Sequence, residues 1–175
     1  MTESTGTVDH MARAAATGEG FRAMMRGFPT GVAVVTALDR DNRPWGMTCS
    51  SLCSVTLEPP TLLVCLRDGS PTLAAILDRG EFAVNLLHAD AQGTAELFAS
   101  GDRDRFDRVF WQLGGDGAGP HLRDDARAVA DCRIRTSYPV GDHVVVLGEV
   151  YRVTHGPERR PLLYGLRRYG VWPHT

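Results

Sequence analysis

Strand-like runs, several of them joined by connections too short to hold a crossover helix, set the strongest limit on what this chain can fold into. Gly31-Val32-Ala33-Val34-Val35-Thr36-Ala37 is β-branched and reads as a buried strand. Asp39-Arg40-Asp41-Asn42 is a turn, so that strand is expected to pair as a hairpin with one beginning near Pro44. Pro59-Pro60 breaks the chain, and Thr61-Leu62-Leu63-Val64-Cys65-Leu66 follows as a third strand. Glu81 to Leu87 is a fourth, Ala126 to Thr154 holds two long strands around Pro139-Val140-Gly141, and Pro161 to Leu166 is a last strand before a tail, Tyr169 to Thr175. Helices enter at a few points only. Phe21, Met24, Met25 and Phe28 have helical spacing between Gly18 and Pro29. Ser70 is an N-cap, Pro71 sits at the first helical position, and Gly80 closes that helix. Ala89 to Ser100 is helical with Leu97 and Phe98 facing in, and Asp102 to Trp111 reads as a short helix with its approach loop. Helices do not alternate with every strand, which argues against a doubly wound parallel sheet. The expected fold is mainly β: a closed or nearly closed antiparallel β-barrel, Greek-key-like, with a few helices at its mouth.

A chain of 175 residues can bury one sizeable core and is short for two. Residues 1–18 read as a flexible leader and 19–175 as a single domain. The net charge of -2 provides no global field for nucleic acid or an anionic membrane. No apolar run approaches the length that spans a bilayer, and the N-terminus lacks the basic-then-apolar order of a secretory signal, so the cytoplasm is the expected compartment. Cys49, Cys53, Cys65 and Cys132 form no C-x-x-C pair and have no histidine at zinc-ligand spacing; free thiols and no metal site are expected. The 19 basic residues are all arginine. Without lysine, a Walker A loop and a Schiff-base enzyme are both excluded. Any phosphate must rest on arginine, hydroxyls, backbone N–H groups or a helix N-terminus.

The segment from Gly46 to Thr56 carries Thr48, Ser50, Ser51, Ser54 and Thr56 and almost no charge. A half-buried strand ordinarily alternates apolar residues with long polar ones. Here the polar side is short and neutral, which suits either a Ser/Thr-rich bend at a sheet edge or a wall against a flat, hydrogen-bonding ligand.

Other motifs admit two readings each. Gly114-Gly115-Asp116-Gly117-Ala118-Gly119 lacks dinucleotide-fingerprint spacing and is followed by Pro120, so it is a loop. No G-x-S-x-G is present, which weakens a hydrolase built on Ser50 or Ser51. Asp142-His143 is either a turn pair or a histidine poised at a barrel mouth. Asn85 inside Phe82-Ala83-Val84-Asn85-Leu86-Leu87 bonds either backbone or a ligand. Ser70 and Thr72 are either a plain helix start or a phosphate cradle. Arg103, Arg105 and Arg108 are either a solvated face or a phosphate clamp.

Taken in order, Phe28-Pro29-Thr30-Gly31-Val32-Ala33-Val34-Val35-Thr36, Gly46-Met47-Thr48-Cys49-Ser50-Ser51, Leu57-Glu58-Pro59-Pro60, Ser70-Pro71-Thr72, the Phe82–Leu87 strand, Arg105-Phe106, Gly141-Asp142-His143 leading to Gly148-Glu149-Val150, Pro161-Leu162-Leu163-Tyr164 and Arg168-Tyr169 resemble the flavin reductase-like family of FMN-binding split barrels. The resemblance spans roughly residues 19 to 172. It implies a homodimeric split β-barrel with flavin near the dimer interface. The implied reaction is hydride transfer from NADH or NADPH to FAD or FMN, with the reduced flavin leaving for a partner flavin-dependent monooxygenase. By position, Thr30, Met47, Thr48, Cys49, Ser50 and Ser51 would line the isoalloxazine, and Ser70 and Thr72 would lie near the ribityl-phosphate end. Phe82 and Asn85 would flank the ring and ribityl chain, and Arg105 and Phe106 would approach the phosphate or the adenylate of FAD. His143 and Tyr169 would face the nicotinamide as the catalytic pair, with Arg168 beside them. The resemblance leaves two alternatives: a flavin- or haem-binding barrel without turnover, acting as carrier or sensor, and an oxidase of pyridoxine-phosphate type on a related barrel.

Overall fold

The computed structural model describes residues 16–115 and 117–173. Most of the leader expected over 1–18, and the last two residues of the tail, lie outside them. Helix α1 (Gly18–Arg26) starts where Thr17 accepts a hydrogen bond from Gly20 N–H at 3.1 Å. Strands β1 (Thr30–Gly31) and β2 (Ala33–Leu38) follow, then β3 (Pro44–Cys49), β4 (Leu52–Leu57) and β5 (Pro60–Arg67). The turn between β2 and β3 is held by Asp39, whose carboxylate accepts from Asp41 N–H, Arg43 N–H and the Trp45 indole, each at 2.9 Å. Helix α2 (Pro71–Arg79) is capped by Ser70 and ends at Gly80, whose φ of 73° only glycine takes without cost.

Strand β6 (Glu81–Leu87) leads to α3 (Gln92–Ser100) and a single 3₁₀ turn at Arg105–Asp107. A short hairpin of β7 (Trp111–Leu113) and β8 (Pro120–Leu122) precedes the long pair β9 (Ala126–Val140) and β10 (His143–His155). The chain closes with β11 (Leu162–Gly165) and β12 (Arg168–Val171). Two expectations are corrected. The segment 102–111 is not a helix beyond that one 3₁₀ turn, and the expected tail after Tyr169 contains most of β12.

Seven strands make one antiparallel sheet in the order β3-β2-β6-β9-β10-β5-β4; β1, β11 and β12 make a second, smaller sheet. Strands β3 and β4 stand at opposite edges of the large sheet, yet only Ser50 and Ser51 join them. The step from Cys49 to Leu52 spans at most about 11 Å of extended chain. The sheet therefore has to curl until its edges meet, which makes it a barrel. The barrel interior is filled by Ala33, Val35, Val64, Leu66, Phe82, Val84, Cys132 and Val146, with Leu73 and Ile76 of α2 closing one side. A second core on the outer side of β2 packs Val34, Leu87, Ala95, Phe98, Phe106 and Leu122 under α3 and the 3₁₀ turn. Gly148 is required by the first core: a Cβ there would lie 2.5 Å from the Phe82 ring.

Candidate functional site

The period-two alternation of β3 sends its residues to different places. Trp45 and Met47 pack partly buried against the barrel core, to which Cys49 belongs. Burial pushes the Cys49 thiol up to about 11, so it stays protonated at neutral pH. On the other face, Gly46 is pressed against the second core: a Cβ would lie 2.9 Å from the Phe98 ring and 3.1 Å from that of Phe106. Thr48 donates its hydroxyl to the Ala95 carbonyl at 2.6 Å and so ties β3 to α3. The hydroxyl-rich run becomes exposed only past Cys49, first at Ser50 and Ser51 and again at Ser54 and Thr56.

There the two serines line a cleft of about 440 Å³ with Phe28, Thr30, Cys65 and Tyr164. Its lining holds no arginine, histidine or carboxylate, and burial raises the Cys65 thiol. A neighbouring cleft of about 320 Å³ shares Phe28, Thr30 and Ser50 and adds Arg127 at its rim. Thr30 is opposite Tyr164 in the small sheet, and Tyr164 is opposite Tyr169, so the three form one rung on one face. The two tyrosine rings are 5.2 Å apart. Burial, then the charge of Glu96, raises the Tyr169 phenol, which leaves it a hydrogen-bond donor.

His143 is at the same end of the barrel. It pairs with Arg67 of β5 while Val145 pairs with Cys65, whose N–H donates to Ser51 O at 3.2 Å. Two strand spacings and two residues place His143 about 12 Å from Ser51. Its side chain is exposed, and Nδ1 is 2.9 Å from Asp142, whose carboxyl that bond holds below its usual range. Ser70 caps α2 just beyond Arg67, and Arg168 is exposed next to Tyr169.

The remaining expected site residues do not join this group. Thr72 is buried on α2, and Phe82 is sealed in the barrel core. Asn85 is fully buried: its amide donates to Val34 O, Pro120 O and Thr36 Oγ1, and its oxygen accepts from Leu122 N–H at 2.8 Å. It is a stitch between β6, β2 and β8, with its amide hydrogens and its oxygen already engaged by the protein. Arg105 is buried, donates to Phe98 O at 3.4 Å, and is held below the usual arginine range by desolvation. Phe106 stacks edge-on with Phe98 and Trp111. Phe106 belongs to the second core, and Arg105 lies over the Phe98 ring at 5.9 Å from its centroid.

Phe28, Cys65, Tyr164 and Arg127 entered no sequence-derived site, although Phe28 and Tyr164 lie in the quoted motifs. A second unexpected feature is a buried polar cluster. Asp131 accepts from Ala118 N–H at 3.0 Å, from His121 Nε2 at 2.9 Å and from Arg152 Nε at 2.8 Å, and Arg152 also donates to Gly114 O. Burial alone would raise Asp131, but the His121 and Arg152 donors outweigh it and hold the carboxyl below its usual range. Its one sequence signal was a carboxylate inside the apolar run Val129-Ala130-Asp131-Cys132.

Barrel and cleft together define a split β-barrel of the FMN-binding type. The chain belongs to the flavin reductase-like family: the family described as flavin reductase like domain matches residues 25–173. The flavin reductase (NADPH) of Lentzea aerocolonigenes is 52% identical over 151 residues, which cover 86% of this chain and 88% of that protein. The reductase subunit HsaB of a flavin-dependent monooxygenase from Rhodococcus jostii is 35% identical over 154 residues, 87% of this chain and 77% of the relative. The NADH:FAD oxidoreductase of Streptomyces globisporus C-1027, solved in complex with NAD and FAD fragments, superposes with a TM-score of 0.82 at 35% identity over 89% of this chain and 92% of that one.

Proposed function

We propose that this chain is an NAD(P)H:flavin oxidoreductase that transfers a hydride from NADH or NADPH to FAD or FMN and releases reduced flavin to a partner flavin-dependent monooxygenase. The observation that carries this reading is the uncharged cleft at the barrel seam, where Thr30, Ser50 and Ser51 present hydroxyls beside the apolar walls of Phe28 and Tyr164. Flavin, when bound, supplies the hydride-accepting ring. The protein's share is to orient that ring and exclude water. Ser50 and Ser51 hydrogen-bond the ring edge, and Phe28 and Tyr164 cover apolar surface. Neutral donors suit the task, since a fixed charge beside the ring would alter its electronics. Tyr169 and His143 are assigned to the nicotinamide side, one as a protonated phenol and the other across the mouth.

The activities of the Lentzea and Streptomyces proteins support the choice of reaction, and the Rhodococcus subunit supports a partner oxygenase. We further assign residues 19–175 to one functional domain working in the cytoplasm. A homodimer is part of the proposal: Val55, Leu57 and Val153 leave an apolar strip exposed, with Leu57 86% accessible. A monomer by light scattering at micromolar concentration would remove that part. Among the described residues no helix is long and apolar enough to cross a membrane.

The direct test is nicotinamide oxidation with each of NADH and NADPH, in the presence of FAD or FMN, followed by absorbance. Loss of nicotinamide absorbance that requires added flavin is expected. Flavin binding without any oxidation would instead make the chain a carrier. His143→Ala is expected to lower kcat/KM for the nicotinamide roughly tenfold, the scale of one lost polar contact, with flavin Kd within about twofold. Equal losses in both would remove His143 from its assigned place.

A further inference from the structure

Beside the uncharged cleft lies a pocket of about 210 Å³ with opposite character. Arg22 and Arg26 of α1 line it together with Arg167 from the β11–β12 turn, and Met25, Phe28 and Tyr164 complete its wall. Those last three residues also line the cleft that holds Ser50 and Ser51, so one aromatic partition separates the two spaces. None of the three arginines pairs with a carboxylate among the described residues. Glu19, one turn before Arg22, makes no ion pair with it. Three unneutralised guanidinium groups facing one small space repel one another unless an anion comes between them.

The backbone adds a separate indication. Leu166 and Arg167 hold φ angles of 52° and 60° in a two-residue hairpin turn. Such turns ordinarily use Asn-Gly or Asp-Gly. Here the turn is anchored to α1 by Leu166 N–H donating to Arg26 O at 2.8 Å. The left-handed conformation is thus kept by a residue that bears a charge and lines the pocket, where glycine would have been easier.

We propose that Arg22, Arg26 and Arg167 bind a phosphate of an adenine nucleotide whose reactive ring lies in the Ser50–Ser51 cleft. The chemistry is arginine–phosphate recognition, in which planar guanidinium groups each give paired donors. The identity of the nucleotide rests on the reductase reading: the phosphate belongs either to the adenosine end of the hydride donor or to FAD. The existence of the anion site does not rest on that reading.

The test is calorimetric titration of the full-length protein with 2′,5′-ADP and, separately, with adenosine. Wild type is expected to bind 2′,5′-ADP at least about tenfold tighter than adenosine, from the added charged contacts. Arg22→Met and Arg167→Gly should each weaken 2′,5′-ADP roughly tenfold and leave adenosine within about twofold. Arg167→Gly should also melt no lower than wild type, because glycine accepts the positive φ; this separates loss of the ligand contact from loss of fold. Unchanged 2′,5′-ADP affinity in both variants overturns the proposal, as does wild type binding the two compounds equally. A change confined to the NADPH:NADH ratio of kcat/KM assigns the phosphate to the hydride donor; one confined to the FAD:riboflavin ratio of Kd assigns it to the flavin. If neither ratio moves, the nucleotide assignment is overturned. Wild-type protein that oxidises neither nicotinamide defeats the reductase reading, and the 2′,5′-ADP result then judges the anion site by itself.

Discussion

Asp131→Asn is the perturbation whose consequence the structure specifies most fully. The side chain is fully buried and its two oxygens receive three donors: Ala118 N–H and His121 on Oδ1, Arg152 on Oδ2. Asparagine preserves shape but turns an NH₂ toward one of these donors, and it removes the negative charge that balances Arg152. Breaking a buried ion pair from one side costs about 3–5 kcal/mol. The Arg152 side chain is 33% exposed, so water screens part of that charge, and we take the lower end, about 3 kcal/mol. For a domain of this size that is a fall in Tm of about 6–12 °C. The pH dependence has a definite sign. A carboxyl whose pKa is depressed in the folded state contributes stability above its unfolded pKa, about 3.9, and loses it as pH falls through the folded value. Thermal melts followed by circular dichroism should therefore show a constant gap between wild type and variant from neutral pH to about pH 5, closing below about pH 3.9. A shift under about 2 °C at neutral pH, or a gap that persists in strong acid, would refute the assignment of Asp131 as the charge that holds the Gly114–Gly119 loop to β9.

Three further outcomes follow from the same packing. Asn85→Ala should cost about 3 kcal/mol, because Leu122 N–H and the Thr36 hydroxyl lose a buried partner, while flavin Kd measured well below the new Tm stays within about twofold; a selective loss of flavin affinity would restore Asn85 to the binding site. Gly148→Ala should destabilise by about 1–3 kcal/mol in denaturant titrations, since its Cβ would sit 2.5 Å from Phe82 in a full core; an unchanged midpoint would show that the Phe82 ring can move aside. With a thiol reagent at pH 8, mass spectrometry should find Cys53 labelled first; Cys49 and Cys132 should react only on unfolding, because burial raises both thiols and a value of about 11 leaves Cys49 roughly one part in a thousand ionised.

The legible parts of the fold were those whose signals are local. Ser70, Pro71 and Gly80 marked both ends of α2, and the structure puts them at its cap, first turn and left-handed close. A turn between β9 and β10 was readable from Gly141, although the structure moves it to Gly141-Asp142 and keeps Pro139 and Val140 paired in β9. The β11–β12 hairpin was hidden because its two central residues are Leu166 and Arg167, which carry none of the composition such turns normally show. Within the candidate cleft, Ser50 and Ser51 stand out in the sequence by their neutral hydroxyls, whereas Thr30 entered only through the family resemblance. The place of Asn85 was not legible, because its partners are distant in the chain: the amide that satisfies its oxygen belongs to Leu122, and no local pattern relates the two. The same holds for Phe106, whose place in the core is decided by Gly46 sixty residues earlier, where the lack of a Cβ leaves room for its ring.

The two-residue link between β3 and β4 has an evolutionary consequence. Ser50 and Ser51 are at once the clasp that fixes the barrel's circumference and a wall of the cleft. A longer link would relax the clasp and displace the wall together, so ligand preference cannot drift here by insertion, as it does in most surface loops. Change at this seam is confined to exchanging one side chain for another, whereas the arginine pocket next door, built from a helix and a hairpin tip, can be redrawn without loosening the barrel.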